Sequence, residues 1–231
     1  MNGLLILGAL WLGFTLPLGA ATPIFDNSVN DLTVRFDPGT YEVGDQILLA
    51  NTERYLTEFS FEFWGTNTLS PGNATFAGAV EARVQFYRND GAPFNGYATP
   101  DNAFFTSPWF SVGTPTARST LIFTAGVGLD FPSGGLYIPV DEMTWSVQFR
   151  GMGATDSVGV DIYSPPVVGA DYPDYWQNNG GSWTLLTNTV PMNFAARMDA
   201  NATIPEPSVV ALLLAGGLGI LTLGRRLRRT N

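Results

Sequence analysis

Apolar and polar residues alternate with a period of two along much of the middle of the chain. Successive side chains of a β-strand point to opposite faces, so this pattern predicts strands with one buried face. Four runs show it most clearly, with apolar positions at Phe59, Phe61 and Phe63; at Val80, Ala82, Val84 and Phe86; at Met143, Trp145, Val147 and Phe149; and at Val158, Val160 and Ile162. Further predicted strands are Gln46–Leu49, Phe104–Phe110, Ser119–Thr124, Trp183–Thr187 and Asn193–Ala200.

Clusters of Gly, Pro, Asn and Asp separate these runs, and their composition is typical of turns. The most evident are residues 70–73, 89–91, 132–135, 164–166 and 178–181. Roughly nine to eleven short strands without helices predict an all-β fold for residues 22–203, an antiparallel β-sandwich that is jelly-roll-like. Asn89–Asn102 and Ala125–Asp141 are predicted to be long loops, where a sandwich would carry a binding site.

Residues 1–21 form an apolar segment of a different kind. Leu4–Leu18 is almost wholly apolar, and the small residues Gly19, Ala20 and Ala21 follow it. A short apolar stretch followed by small residues is typical of a cleaved signal peptide. We therefore predict export; a first membrane span that stays in place is the alternative.

A second uncharged segment, Ser208–Leu223, lies near the C-terminus. As a helix its sixteen residues would reach about 24 Å, a little less than the ~30 Å hydrocarbon core, so they predict one short transmembrane helix. Four arginines follow, at Arg225, Arg226, Arg228 and Arg229. The positive-inside rule places this cluster in the cytoplasm as a stop signal, which leaves residues 22–203 outside, as the signal peptide also requires.

Pro205, Glu206 and Pro207 precede this helix, and this order resembles the PEP-CTERM sorting signal of Gram-negative bacteria. The resemblance covers residues 204–231. It implies an exosortase-type sorting enzyme as a partner, which would cut the membrane-anchored precursor near the Pro-Glu-Pro motif. The mature protein would then reach the cell surface or an extracellular matrix, much as a GPI signal is removed from its protein. A plain C-terminal anchor is the alternative.

The composition excludes several kinds of chemistry. The 231 residues include no Lys, His or Cys, so zinc sites built from Cys or His, a Cys nucleophile, a Ser-His-Asp triad and a Lys Schiff base are all absent. The net charge is −9, and residues 22–204 carry 19 acidic side chains against 7 arginines. Because phosphate binding needs a basic face, we expect no nucleic-acid partner.

The densest polar and aromatic stretch is Asp171–Asn179. Aromatic faces stack on the C–H surfaces of sugars, and nearby polar groups can hold the hydroxyls. The residues predicted to bind carbohydrate in this loop are Tyr172, Asp174, Tyr175 and Trp176. The alternative is that the aromatic rings fold back onto the core.

Asp171 and Asp174 are the candidate oxygen ligands for Ca²⁺, with solvated acids as the alternative. We expect no other metal and no cofactor. Glycoside hydrolysis needs two carboxyl groups about 5–10 Å apart. Glu58 and Glu62 would lie about 13 Å apart on one strand, so no catalytic residue is predicted and the chain is expected not to be an enzyme.

Three hypotheses follow for the function. The first is an exported, non-enzymatic protein of the cell surface or extracellular matrix, which crosses the inner membrane and is sorted by an exosortase. The alternative is a carbohydrate-binding β-sandwich module whose partner is an extracellular polysaccharide. The third is a carboxylate-based, polysaccharide-active enzyme.

Overall fold

The computed structural model describes residues 20–202, except 71, 73 and 129. The segments predicted as signal peptide, Pro-Glu-Pro motif, transmembrane helix and Arg cluster thus lie almost entirely outside the described residues. Within the described residues there are fifteen strands and no α-helix. The strands are β1 (Thr22–Asp26), β2 (Asp31–Phe36), β3 (Glu42–Leu48), β4 (Tyr55–Asn67), β5 (Glu81–Phe94), β6 (Tyr97–Thr106), β7 (Phe110–Ser111), β8 (Thr116–Thr124), β9 (Leu136–Tyr137), β10 (Glu142–Arg150), β11 (Asp156–Tyr163), β12 (Ala170–Asp171), β13 (Asp174–Asn179), β14 (Ser182–Thr187) and β15 (Ala196–Asn201). In this part of the chain no helix is long and apolar enough to cross a membrane.

The strands form two antiparallel sheets. The seven-stranded sheet has the order β1-β15-β4-β11-β2, with β8 and β9 also paired to β4. The eight-stranded sheet has the order β14-β13-β3-β10-β5-β6, with β12 paired to β3 and β7 paired to β5. The expectation of an all-β, antiparallel, sandwich-like fold is confirmed.

The core lies between the two sheets and is filled by the alternating apolar residues. Phe59 and Phe61 of β4 contact Trp145 of β10 at ring-centroid distances of 5.3 and 5.8 Å. Phe59 also meets Phe86 of β5 edge to face at 5.1 Å. All four side chains are fully buried, and each such burial contributes roughly 1.5–3 kcal/mol or more to folding. The period-two pattern therefore identified the inner faces of both sheets.

Two segments that were predicted to be loops are strands. Asn89–Asn102 belongs to the hairpin of β5 and β6, whose turn is at Asn95 and Gly96, with φ of 51° and 90°. Two successive positive φ values are typical of the type I′ turn that suits a two-residue hairpin. Asp171–Asn179 is also not a loop, because β12 and β13 occupy most of it.

The far end of the β5–β6 hairpin extends past its neighbour. Arg88 is the last residue of β5 that pairs with β10, and the residues beyond it pair only with β6. Three irregularities in the β5–β6 register accompany this extension, and such bulges bend and twist a ladder. We call residues 89–102 the hairpin arm. The arm brings Phe94 against Trp176 of β13, with ring centroids 6.5 Å apart.

Candidate functional site

The eight-stranded sheet curves around its outer face. Tyr87 of β5 pairs with Thr144 and so faces away from the core, whereas its neighbour Phe86 faces inward. Tyr87 lies on β5 and Trp183 lies on β14, and three strands, β10, β3 and β13, lie between them. In a flat sheet β5 and β14 would be about 19 Å apart. The two rings instead meet edge to face at 5.5 Å. The sheet is therefore a half-barrel, and its outer face lines the interior.

One row of side chains crosses five strands at one end of the half-barrel. The strand register places them side by side, in the order Arg83, Gln148, Glu42, Asn178 and Trp183. We call this set the mouth row, because every member except Glu42 is partly open to solvent. The Arg83 guanidinium donates to Gln148 Oε1 at 3.0 Å, and Asn178 Nδ2 donates to Glu42 Oε2 at 3.0 Å.

Glu42 lies at the centre of the mouth row and is only 5% exposed. Its Oε1 accepts hydrogen bonds from the hydroxyls of Tyr87 and Ser146 at 2.9 and 2.6 Å. Burial, followed by the nearby Glu42 charge, raises the pKa of the Tyr87 phenol, so this hydroxyl stays protonated and can donate. Among the described residues, no arginine forms an ion pair with Glu42. Neutral donors therefore surround this buried carboxylate.

A second row of side chains lies further inside the half-barrel than the mouth row and fills the space there. Its members, from β5 to β14, are Gln85, Ser146, Gly44, Trp176 and Leu185. Ser146 and Trp176 are fully buried although they lie on the outer face of the sheet. Gly44 is required here, because a Cβ at this position would lie 2.6 Å from the Thr144 methyl group. The space inside the half-barrel is thus filled behind the mouth row.

Trp176 belongs to this filled interior, which corrects its predicted role. Its Nε1 donates to Gln46 Oε1 at 2.9 Å, and Gln46 in turn donates to Glu142. Phe94 of the hairpin arm contacts the indole ring. Because Trp176 has no exposed face, it cannot stack on a sugar in this structure. It is buried inside the half-barrel, on the outer face of the sheet, and not in the core between the two sheets that the alternative named.

The other three residues predicted to bind carbohydrate are not brought together. Tyr175 packs toward the core, with its ring 5.1 Å from that of Phe36. Tyr172 is 37% exposed, and its hydroxyl donates to Glu142 Oε1 at 3.3 Å. Asp174 is partly buried, and burial raises the pKa of its carboxyl. Successive residues of β13 alternate between the two faces, so this stretch does not form one binding platform.

The candidate calcium ligands Asp171 and Asp174 gain no further acid ligand. In residues 20–202 as described, no group of three or more acidic side chains is arranged to hold a metal ion. Burial raises the pKa of Asp171 to about 7, which disfavours the ionised form that Ca²⁺ prefers. Asp171 pairs with Ile47 of β3, so it lies on the core side of the eight-stranded sheet.

The rim beside Arg83 carries a further aromatic side chain. The guanidinium carbons of Arg83 and Arg150 lie 4.9 and 4.0 Å from the centroid of the Trp109 ring. Arg150 also forms an ion pair with Glu81 at 2.7 Å. Cation–π contacts of this kind hold an aromatic ring in a fixed orientation at a partly exposed position. Trp109 therefore lies beside Arg83 at one end of the mouth row, and Trp183 is the last member at the other end.

The outer face of the seven-stranded sheet carries a different polar cluster. Arg118 Nε and the Tyr163 hydroxyl both contact Glu62 Oε2, at 2.8 and 2.7 Å. Arg35 Nε contacts the buried Asp161 at 2.8 Å, and burial, only partly offset by Arg35, raises the pKa of Asp161 to about 6. Each of these two acids is paired with an arginine that covers it. This cluster is an ion network in which each acid has an arginine partner, while Asp161 Oδ2 has no hydrogen-bond partner among the described residues.

Sequence reasoning did not identify the mouth row. Its residues occupy the polar positions of the alternating runs, where a solvated face was expected. Only Asn178 lay in the stretch that was singled out. The polar residues that alternate with apolar ones along β5 and β10 could have indicated a polar face. The mouth row itself becomes evident only when the register of all five strands is known. No protein-family model, curated protein or solved structure matches this chain.

Proposed function

We propose that this protein is an exported, non-enzymatic component of the cell surface or extracellular matrix that binds carbohydrate at the mouth of its half-barrel. The observation that carries this proposal is the mouth row, in which four polar side chains on neighbouring strands lie between Trp109 and Trp183. Barrel mouths that combine aromatic walls with a few convergent polar groups are common ligand sites. The sugar would meet this row instead of Trp176.

The chemistry of the mouth row suits sugar hydroxyls. Asn178 and Gln148 carry amides, which both donate and accept, and Arg83 adds donors in a planar arrangement. Trp183 is half-buried, so part of its ring is open to solvent at the edge of the row. An indole face can pack on the C–H surface of a sugar ring while the amides hold its hydroxyls.

The positions of the carboxylates support binding rather than hydrolysis. On the described outer face, the acids nearest to Glu42 in the register are Glu81 and Asp174. Strand spacing places their Cα atoms about 12 and 14 Å from that of Glu42 along the sheet, and neither acid shares a hydrogen-bond partner with Glu42 among the described residues. Glu81 is also held by Arg150. We therefore retain the proposal of a non-enzymatic protein.

The strand order supports a jelly roll, the fold proposed for residues 22–203. With β1, β3, β4, β5, β6, β8, β10 and β15 numbered one to eight, the sheets contain the orders 1-8-3-6 and 2-7-4-5. This is the arrangement of two interleaved Greek keys. The half-barrel is the sheet that β3, β10, β5 and β6 share with β12, β13 and β14.

Export and sorting remain proposals from the sequence. We propose that residues 1–21 direct export and that an exosortase-type enzyme reads Pro205, Glu206 and Pro207. The precursor would be anchored in the inner membrane with Arg225, Arg226, Arg228 and Arg229 in the cytoplasm. A β-body delivered to the surface would meet extracellular polysaccharide, which is consistent with the proposed ligand.

Glycan binding can be tested with a matched pair of tryptophan variants. The full chain, solubilised in a detergent without a sugar headgroup, is applied to an array of polysaccharides. We expect retention on at least one of them, and a loss of about tenfold in affinity for Trp183→Ala. Trp64→Ala is the control, because Trp64 is a half-buried tryptophan on the outer face of the other sheet. Absence of any bound glycan, or an equal loss with the Trp64 variant, would contradict the proposal.

A further inference from the structure

The charge at the mouth indicates which class of glycan fits it. The Glu42 carboxylate lies at the centre of the row and has hydrogen bonds from Tyr87, Ser146 and Asn178, all of which are uncharged. We propose that the ligand is a neutral, hydroxyl-rich glycan and that the mouth excludes uronate and sulfated polymers. This inference rests on the proposed function and adds the substrate class to it.

The arginines near the mouth do not offer a site for an anionic sugar. Arg150 is paired with Glu81 and lies against the Trp109 ring. Arg83 donates to Gln148 and lies against Trp109. With Glu42 and Glu81, these two cations give the mouth no net positive charge. The surrounding body carries 19 acids against 7 arginines, which adds a repulsive field for polyanions.

The unpartnered polar atoms along β5 point to the same class. Arg83 Nε, Gln85 Oε1 and Asn89 Nδ2 are buried and have no hydrogen-bond partner among the described residues. Gln85 is only 8% exposed, and it lies directly behind the mouth row. The three atoms are a donor, an acceptor and a donor in order along the strand. Of the three, only Arg83 Nε belongs to the mouth row, and a sugar hydroxyl can accept from it without bringing a second negative charge near Glu42.

The test compares neutral with anionic polymers on the same protein. The full chain is run in affinity electrophoresis against hydroxyethyl cellulose, galactomannan and dextran, and against alginate, polygalacturonate and a sulfated glycan. We expect at least one neutral polymer to bind about tenfold more tightly than every anionic one. Binding of the neutral polymer should be insensitive to salt between about 0.01 and 0.5 M, because no ion pair is formed.

Two charge variants locate the cause of the preference. Glu42→Gln removes the charge at the mouth, and we expect the neutral-to-anionic ratio of affinities to fall at least about threefold. Glu62→Gln is the control, because it removes one charge from a buried acid on the other sheet and leaves the ratio unchanged.

The outcomes separate this inference from the proposed function. An anionic polymer that binds as tightly as any neutral one, or an unchanged ratio in folded Glu42→Gln, overturns the inference and leaves carbohydrate binding in place. If no polymer of either class binds, the proposed function fails and the inference with it. The comparison with the unaltered protein remains decisive even if the Glu42 variant does not fold.

Discussion

Two tryptophans on neighbouring strands distinguish packing from binding in the half-barrel. Trp176 is fully buried, and its Nε1 donates to Gln46. Replacing a buried aromatic residue with alanine costs about 3–5 kcal/mol in the free energy of unfolding, and the lost hydrogen bond adds about 1 kcal/mol. In a domain of this size each kcal/mol lowers Tm by about 2–4 °C. We therefore expect Trp176→Ala to lower Tm by roughly 8–24 °C.

Trp183→Ala should be much milder, because Trp183 is only half-buried and its described ring contact is with Tyr87. Loss of that contact and of the partial burial amounts to about 2 kcal/mol, or a fall in Tm of roughly 4–8 °C. Both variants are measured by scanning calorimetry on the full chain in the same detergent. A Tm loss for Trp183→Ala that equals or exceeds that of Trp176→Ala would refute the assignment of a closed interior and an open mouth.

Three further predictions concern other parts of the chain. Gly44→Ala should cost about 1–3 kcal/mol in urea unfolding, because its Cβ would lie 2.6 Å from the Thr144 methyl group; a neutral result would contradict the close packing. The folded-state pKa of Asp171 is raised to about 7, so its contribution to stability is full below the usual Asp pKa near 4 and is lost as pH rises to 7. Asp171→Asn should therefore reduce the loss in free energy of unfolding between pH 5 and pH 8 by roughly 1–2 kcal/mol, a discounted figure because the side chain is partly solvated; an unaltered pH profile would rule this out. If an exosortase-type enzyme reads the sorting motif, intact mass spectrometry of surface protein from the host should show that residues 208–231 are missing, and Glu206→Ala should keep them; finding them on the unaltered mature protein would reject the sorting proposal.

The alternation of apolar and polar residues was sufficient to predict the central strands β4, β5, β10 and β11, but it did not predict β1, whose Ile24 and Phe25 are also buried in the core. β4, β5, β10 and β11 each have one face buried between the sheets, and burial imposes a period of two. The hairpin arm was mistaken for a loop because Asn89, Asp90 and Gly91 have a turn composition. Gly91 instead allows two strands to approach closely, since a Cβ there would lie 2.3 Å from Thr99 Oγ1. The true turn, Asn95-Gly96, is a strong hairpin signal that lay inside the same segment.

The mouth row could not be predicted, because it depends on which strands are neighbours. Glu42 begins β3, Gln148 is near the end of β10, and Asn178 is near the end of β13. Glu42 lies more than a hundred positions before both Gln148 and Asn178 in the chain and becomes adjacent to them only through antiparallel pairing. The burial of Trp176 depends on the same pairing and on the hairpin arm. A local polar-aromatic composition therefore pointed to the correct strand but to the wrong side chain.

The outer faces of the two sheets differ in how their buried acids are balanced. On the seven-stranded sheet, Arg118 holds Glu62 and Arg35 holds Asp161, each at 2.8 Å. In the half-barrel, Glu42 has only neutral donors, and Gln85 keeps an unpartnered buried oxygen among the described residues. Burying polar groups in this way contributes little to stability, since apolar side chains of similar size often stabilise a protein more. The proposal of a hydroxyl-rich ligand at the mouth offers a reason for these polar groups, whose central acid has no charged partner among the described residues.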